Sequence, residues 1–298
     1  MNMQANLYTE ALDRLETLDR RLALAAGVVD VTHPNAAAVA DPILSYATQR
    51  FPDLDIVEAY VSRARALANL QDRFDADPRP ETLGDPRAPI DRDVYNLSLL
   101  LSIAFTNHRF EIMQQLSQFL KGCSNSGGSI ASIGTGTGYE LERMASLLPQ
   151  DWEIESYDID ESVQNEARGF LSYFGITRPV RWGKEFPLEN PPAEFLDRYD
   201  AIVMCELLEH LPNPAAALAA VRDCITPKGR IFATMAINIA QEDHIYLYPD
   251  IVCCRTQIEE AGLRTLSEWI TPQTTLPPAA DREVNFKKGN YVAVLEAR

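Results

Sequence analysis

The sequence predicts an α/β fold: a largely parallel sheet covered by helices on both faces, preceded by an all-helical region. Three observations predict it. A short β-rich run at residues 129–133 feeds a turn with Gly134, Gly136 and Gly138 at every second position, and a helical pattern over residues 140–148 follows at once. From Gly127 onward the pattern alternates strand and helix, as parallel sheets do. Before that point the apolar spacing is helical, with no strand-like alternation.

Taken in order, residues 6–26 form a helix with Leu7, Ala11, Leu15, Leu18 and Leu22 on one face and Glu10, Asp13, Arg14 and Arg20 opposite. Further helices are expected at residues 35–49, interrupted by Pro42, and at 53–74, which Pro52 helps to start. Residues 75–93 hold four prolines and a glycine and read as a linker. Residues 94–122 read as one helix, apolar nearly all round in its first half (Leu97, Leu99, Leu100, Leu101, Ile103, Phe105) and so buried between layers. The polar group Asn107, His108 and Arg109 interrupts that stretch, and His108 and Arg109 are assigned to a substrate cleft beneath the helical region.

Glycine suits the turn after residue 133 because a backbone without Cβ turns sharply and approaches a ligand closely. The helix N-terminus behind it presents unpaired N–H groups. The spacing is G-x-G-x-G, since Tyr139 stands where a dinucleotide fingerprint has its third glycine. Residues 152–160 read as a second strand ending in acid, close to the offset of about 20 residues at which an acid meets a ribose. Asp158 is the ribose ligand, because both its oxygens accept and it can take both hydroxyl protons. Asp160 caps the helix at residues 161–170. A third strand follows at 180–182 and a fourth at 199–205. After a helix at 214–224, residues 225–234 hold a turn that enters a fifth strand. A helix at 249–261 ends at Gly262. Residues 263–271 and 291–297 form a terminal antiparallel pair joined by a polar connection.

Composition narrows the partners. Hydrophobic content of 46% and charged content of 23% suit a packed core. Lys and Arg number 27 against 43 Asp and Glu, a net charge of −16 with no basic cluster, which weighs against nucleic acid and acidic membranes. A small-molecule substrate is favoured. No apolar run spans a bilayer, and the N-terminal residues lack a signal-peptide layout, so a soluble, cytoplasmic protein is expected. The five cysteines are odd in number and lack C-x-x-C spacing, which argues for reduced thiols.

The glycine turn resembles motif I of the class I S-adenosylmethionine-dependent methyltransferases, with Ser132 where that family usually carries an acid. Glu206-Leu207-Leu208-Glu209-His210-Leu211 resembles the segment after the fourth strand in the ubiquinone-type methyltransferases, and Ile225-Thr226-Pro227-Lys228-Gly229 resembles their turn into the fifth. The resemblance implies a Rossmann-like seven-stranded methyltransferase sheet over residues 122–298 and S-adenosylmethionine as cofactor. It places Gly134, Thr135, Gly136, Gly138, Asp158, Ile159, Glu185 and Cys205 around that cofactor. Residues 1–121, with the linker at 75–93, form a helical domain that covers the active site or mediates dimerisation.

Methyl transfer needs an aligned nucleophile and, where required, a proton acceptor. His210 is a candidate base, oriented by Glu209 or Glu206, because imidazole titrates near neutrality. The loop after the fifth strand supplies His244 as a second base and Asn238, Asp243, Tyr246 and Tyr248 as substrate-lining residues. The Glu-x-x-Glu-His pattern with a later histidine also resembles the metal-binding set of small-RNA 2′-O-methyltransferases. Metal-free relatives share Glu-His here and the acidic balance disfavours RNA, so no metal is assigned. A cofactor-binding protein without catalysis is the remaining rival.

Overall fold

The computed structural model describes residues 7–84, 91–123, 127–273 and 287–298. Its N-terminal part is helical: α1 (Leu7–Leu18), α2 (Arg20–Thr32), α3 (Ala36–Arg50), α4 (Ile56–Ala76), α5 (Pro80–Leu83), α6 (Arg92–Phe105) and α7 (Asn107–Gly122). Strands and helices then alternate: β1 (Ser129–Ile133), α8 (Tyr139–Leu147), β2 (Glu153–Tyr157), α9 (Glu161–Tyr173), β3 (Val180–Gly183), β4 (Tyr199–Met204), α10 (Pro214–Cys224), β5 (Ile225–Ile237), α11 (Ile251–Glu260), β6 (Leu263–Pro272) and β7 (Gly289–Ala297).

The seven strands form one sheet in the order β3-β2-β1-β4-β5-β7-β6. The first five are parallel, while β7 runs antiparallel to both β5 and β6. Strand order reverses at β1 and β4, and in such sheets ligands bind at the carboxyl edge of that switch point. Alternate side chains separate the two faces. Ile130, Ile154, Ala201 and Phe232 join a core that also contains Leu15, Ile43, Leu101, Phe105 and Leu116 of the N-terminal helices. Ala131, Ile202, Met204 and Ala233 pack on the other face with Leu218 of α10 and Ile258 of α11. The N-terminal helices thus share a core with one face of the sheet.

Four local expectations are corrected. The helix at residues 6–26 is two helices, because the Asp19 side chain accepts from the N–H groups of Arg21 and Leu22 and starts a new cap. Pro42 does not interrupt α3, whose buried face (Ala36, Ala40, Ile43, Leu44, Ala47) keeps the helix continuous despite the lost hydrogen bond. The helix at 94–122 breaks at Thr106, which has extended backbone angles of φ −129° and ψ 130°. The linker at 75–93 is shorter: Asp75 and Ala76 finish α4, Pro80–Leu83 is a turn of helix with proline at its permitted first position, and Arg92 begins α6. Within it, residues 85–90 lie outside the described residues, as do residues 274–286 of the connection before β7. Among the described residues, no helix is long and apolar enough to cross a membrane.

Candidate active site

The glycine turn is built as its sequence requires. Gly134, Gly136 and Gly138 take φ of +79°, +54° and +84°, the left-handed region that favours glycine. A Cβ on Gly138 would stand 2.8 Å from the Ala167 Cα, so that glycine seats the turn against α9. A Cβ on Gly136 would meet nothing within 4 Å and points into open space at the carboxyl edge. Asp158 holds the turn from the next strand: its carboxylate accepts from the Thr135 N–H at 2.9 Å and from the Asp160 N–H at 2.9 Å. Burial raises the Asp158 pKa against the pull of those donors. Asp160 caps α9 as expected, accepting from the Ser162 N–H. Ile159 is exposed beside it, and Glu185 sits on the exposed loop after β3.

A chain of buried charges crosses the same edge. Glu206 follows β4 with φ +52°, a costly conformation for a residue with a Cβ and one that turns its side chain inward. Its Oε2 meets the Arg109 guanidinium at 2.9 Å, and its Oε1 accepts from the Thr234 hydroxyl and the Asn290 amide, both at 2.7 Å. Burial pushes the Glu206 carboxyl up, but Arg109 and Thr234 outweigh it, so it lies below the usual carboxylate range. Beside it, burial raises both the Cys205 thiol and the Glu140 carboxyl, and Glu140 Oε2 has no hydrogen-bond partner among the described residues. His108 is held down to about 4 by burial and by the neighbouring Arg109.

Two loops then bring the histidines together. The loop after β5 docks on the turn after β4, where the Ile245 and Tyr246 N–H groups both donate to the Glu209 carbonyl at 2.9 and 3.0 Å. The rings of His210 and His244 meet edge to face with centroids 4.9 Å apart. Each anchors Nδ1 on a backbone carbonyl, His210 on Asp243 at 3.0 Å and His244 on Ile239 at 2.9 Å. A carbonyl only accepts, so each Nδ1 carries a proton, and a ring that is neutral then holds its lone pair on Nε2. Burial and the neighbouring His210 lower the His244 pKa to about 4, so that ring is neutral. Burial raises the Asp243 carboxyl, but His210 and the bonds from Tyr95 and Gln241 outweigh it and hold it down.

The N-terminal helices hold this loop from above. Arg63 of α4 forms a two-pronged ion pair with Glu242, Gln71 bonds the Asn238 carbonyl and the Ala240 N–H, and the Leu83 carbonyl accepts from Gln241. Between helices and loop lies a cavity of about 370 Å³. Its walls are largely apolar, with Leu22, Tyr60, Ala64, Leu67 and Leu99 among them, while Arg109, Glu206 and His244 line its floor.

Of the residues assigned to substrate from sequence, His108 and Arg109 line that cavity, and Asp243 lies behind it, bonded to the cavity residues Tyr95 and Gln241. Asn238, Tyr246 and Tyr248 do not line it, and full burial corrects the assignment of Tyr248. The Asn238 amide donates to the Pro249 and Lys287 carbonyls, and Tyr248 is fully buried and donates to Gln257 of α11. The Tyr246 hydroxyl also meets Gln257. Sequence reasoning missed Arg63, Tyr95 and Glu140. Glu140 carried a signal, an acid in the first turn directly behind the glycines; the other two sit on helices whose approach no local pattern encodes.

Comparison with known proteins places this geometry. A family model described as a methyltransferase domain matches residues 105–257, slightly more than half of the chain. The ubiquinone biosynthesis O-methyltransferase of Proteus mirabilis is 29% identical over 106 residues, covering 36% of this chain and 41% of the relative. That of Stutzerimonas stutzeri is 29% identical over 109 residues, covering 37% and 44%. The matches thus span less than half the length of these relatives. The crystal structure of the cyclase SpnF superposes with a TM-score of 0.51 at 15% identity, over 72% of this chain and 98% of that one, a likeness of fold.

Proposed function

The chain belongs to the methyltransferase-domain family, and from that premise we propose that it transfers a methyl group from S-adenosylmethionine to a small-molecule acceptor. The observation that carries the reading is the glycine turn with three left-handed residues at the switch point, tied by Asp158. The residues fit the cofactor: Gly136 faces open space where a side chain would intrude, Asp158 keeps acceptor capacity for ribose hydroxyls, and the unpartnered Glu140 Oε2 offers an acceptor to an ammonium group. Gly134, Thr135 and Gly138 shape the cradle, with Ile159 and Glu185 on the adenosine side and Cys205 beneath. When bound, S-adenosylmethionine supplies a methyl group on a sulfonium that departs as a neutral sulfide.

The acceptor occupies the cavity of about 370 Å³ under the helices, a volume that suits a mid-sized molecule with an apolar body and a polar reacting end. Its reacting end faces the floor. There Arg109 and Glu206 fix the wall, and His244, with Glu209 and His210 beside it, lies next to the reacting end of the acceptor. The helical region excludes water from that surface through the Arg63–Glu242 clamp. Nucleic acid is not the acceptor in this reading, since a chain of net charge −16 lacks the cationic surface a polyanion needs.

The reading is tested with methyl-labelled cofactor and a panel of phenols, amines and carbon acids. Transfer of label with matching formation of S-adenosylhomocysteine supports it. A folded chain that binds the cofactor yet transfers label to no member of the panel or of a metabolite extract points to a binding protein.

A further inference from the structure

Glu209 is 0% exposed and, among the described residues, neither of its carboxylate oxygens has a hydrogen-bond partner. A buried carboxyl group is normally bonded, because leaving it bare forfeits its hydration with nothing in return. Protonation does not relieve the site, since a neutral carboxyl still brings a donor and an acceptor that need partners. The surroundings are short of positive charge: Glu206 and Asp243 also bear on Glu209, and the nearby cation, Arg109, is already paired with Glu206.

What does face those oxygens is the histidine pair. One donor atom from each of Glu209, His210 and His244 lies within 4.8 Å of the other two. Both imidazoles are fixed through Nδ1 on backbone carbonyls, the outer-shell arrangement that orients a ligating histidine and sets its tautomer. The docking of Ile245 and Tyr246 on the Glu209 carbonyl holds the two loops in register, so the cluster is built by backbone and does not rely on side-chain chance. His210 keeps 24% of its side chain exposed, which gives an ion a path in, and His244 opens on the acceptor cavity.

We propose that Glu209, His210 and His244 bind a divalent transition-metal ion at the floor of the cavity. Two imidazoles and one carboxylate suit ions of the zinc, cobalt or manganese kind better than magnesium or calcium. Three protein ligands leave at least one coordination position, as metal sites that meet a substrate do. This deepens the proposed function, on which it rests only for its consequence: an acceptor oxygen reaching that position loses its proton more readily beside a Lewis acid.

The test uses the full, tag-free chain after chelation, titrated with Co²⁺ and followed by the visible absorption of the bound ion. One Co²⁺ per chain, displaced by Zn²⁺, is expected. Glu209→Gln and His244→Ala should each weaken binding by more than about 100-fold, beyond the 10- to 100-fold cost typical of outer-shell changes. Thermal unfolding and S-adenosylhomocysteine binding are read on the same samples. No Co²⁺ absorption by the folded wild type, or binding equally tight in both folded variants, overturns the site. A wild type that binds Co²⁺ without S-adenosylhomocysteine supports the site and overturns the methyltransferase reading; S-adenosylhomocysteine binding without Co²⁺ does the reverse.

Discussion

Glu155 and Glu209 are the same side chain at nearly the same depth, 1% and 0% exposed, and their surroundings are opposite. Glu155, on β2, is bonded on both oxygens: the Tyr157 and Tyr199 hydroxyls donate to Oε2 at 2.6 and 2.8 Å, and Arg181 and Arg198 to Oε1. Burial pushes its pKa up, and those donors more than reverse it. Glu209, after β4, has neither oxygen bonded among the described residues, and burial with the neighbouring Glu206 raises its pKa well above the usual range. The first carboxylate is finished by the fold. The second has no such donors among the described residues, and the metal ion proposed above would supply its missing partner.

Removing the two groups should therefore have opposite effects. Glu155→Ala leaves a buried set of hydroxyls and guanidiniums without their acceptor and should destabilise by about 3–5 kcal/mol, measured by urea unfolding. Turnover per folded molecule should be unaltered. Glu209→Gln should shift stability by less than about 1 kcal/mol, since it removes no existing bond, while turnover falls by at least about 100-fold. Equal stability losses in the two variants would erase the distinction.

Arg109→Gln sharpens it from the side of the site. That change leaves Glu206 half-buried, charged and short of its cation, so a loss of about 1–3 kcal/mol is expected together with lost turnover. Arg63→Ala, which opens the clamp between α4 and the loop after β5, should cost about 1–2 kcal/mol or less and act chiefly on KM for the acceptor. A change confined to kcat would contradict the role of the helices as a cover.

The smallest effect concerns acid. A carboxyl whose folded pKa is lowered contributes stability that is present above its unfolded value, about 4.3, and is lost as pH falls through the folded value. Glu155 belongs to that class. Below about pH 4.3 the stability of the wild type should therefore fall more steeply than that of Glu155→Gln. Parallel acid limbs in unfolding curves would show that the tyrosines and arginines do not hold that carboxylate ionised.

The same comparison explains what was legible in the sequence. The sheet and its glycine turn were, because strand alternation, left-handed glycines and the Asp158 offset are local patterns. The histidine-bearing loops were recognised one by one, yet their meeting depends on two N–H groups docking on the Glu209 carbonyl, a contact between segments 36 and 37 residues apart by number. The bare oxygens of Glu209 were illegible for the same reason, since a missing partner leaves no mark in the chain. Helix breaks at Asp19 and Thr106 escaped because apolar periodicity runs through both, and the cavity walls escaped because Arg63 and Tyr95 reach the site only through helix packing. Tyr248 misled in the other direction: its place after β5 suggested a cavity wall, and its hydroxyl is bonded to Gln257 instead.

Calorimetric titration of the full chain with S-adenosylhomocysteine, beside Gly136→Val, tests the central claim most directly. The substitution puts a branched side chain into the open space before the turn, at a φ of +54° that such residues avoid. One cofactor per wild-type chain, with binding lost in a folded Gly136→Val, is the predicted result. A folded wild type that binds no S-adenosylhomocysteine, or a variant that binds it as well as the wild type, would contradict the account.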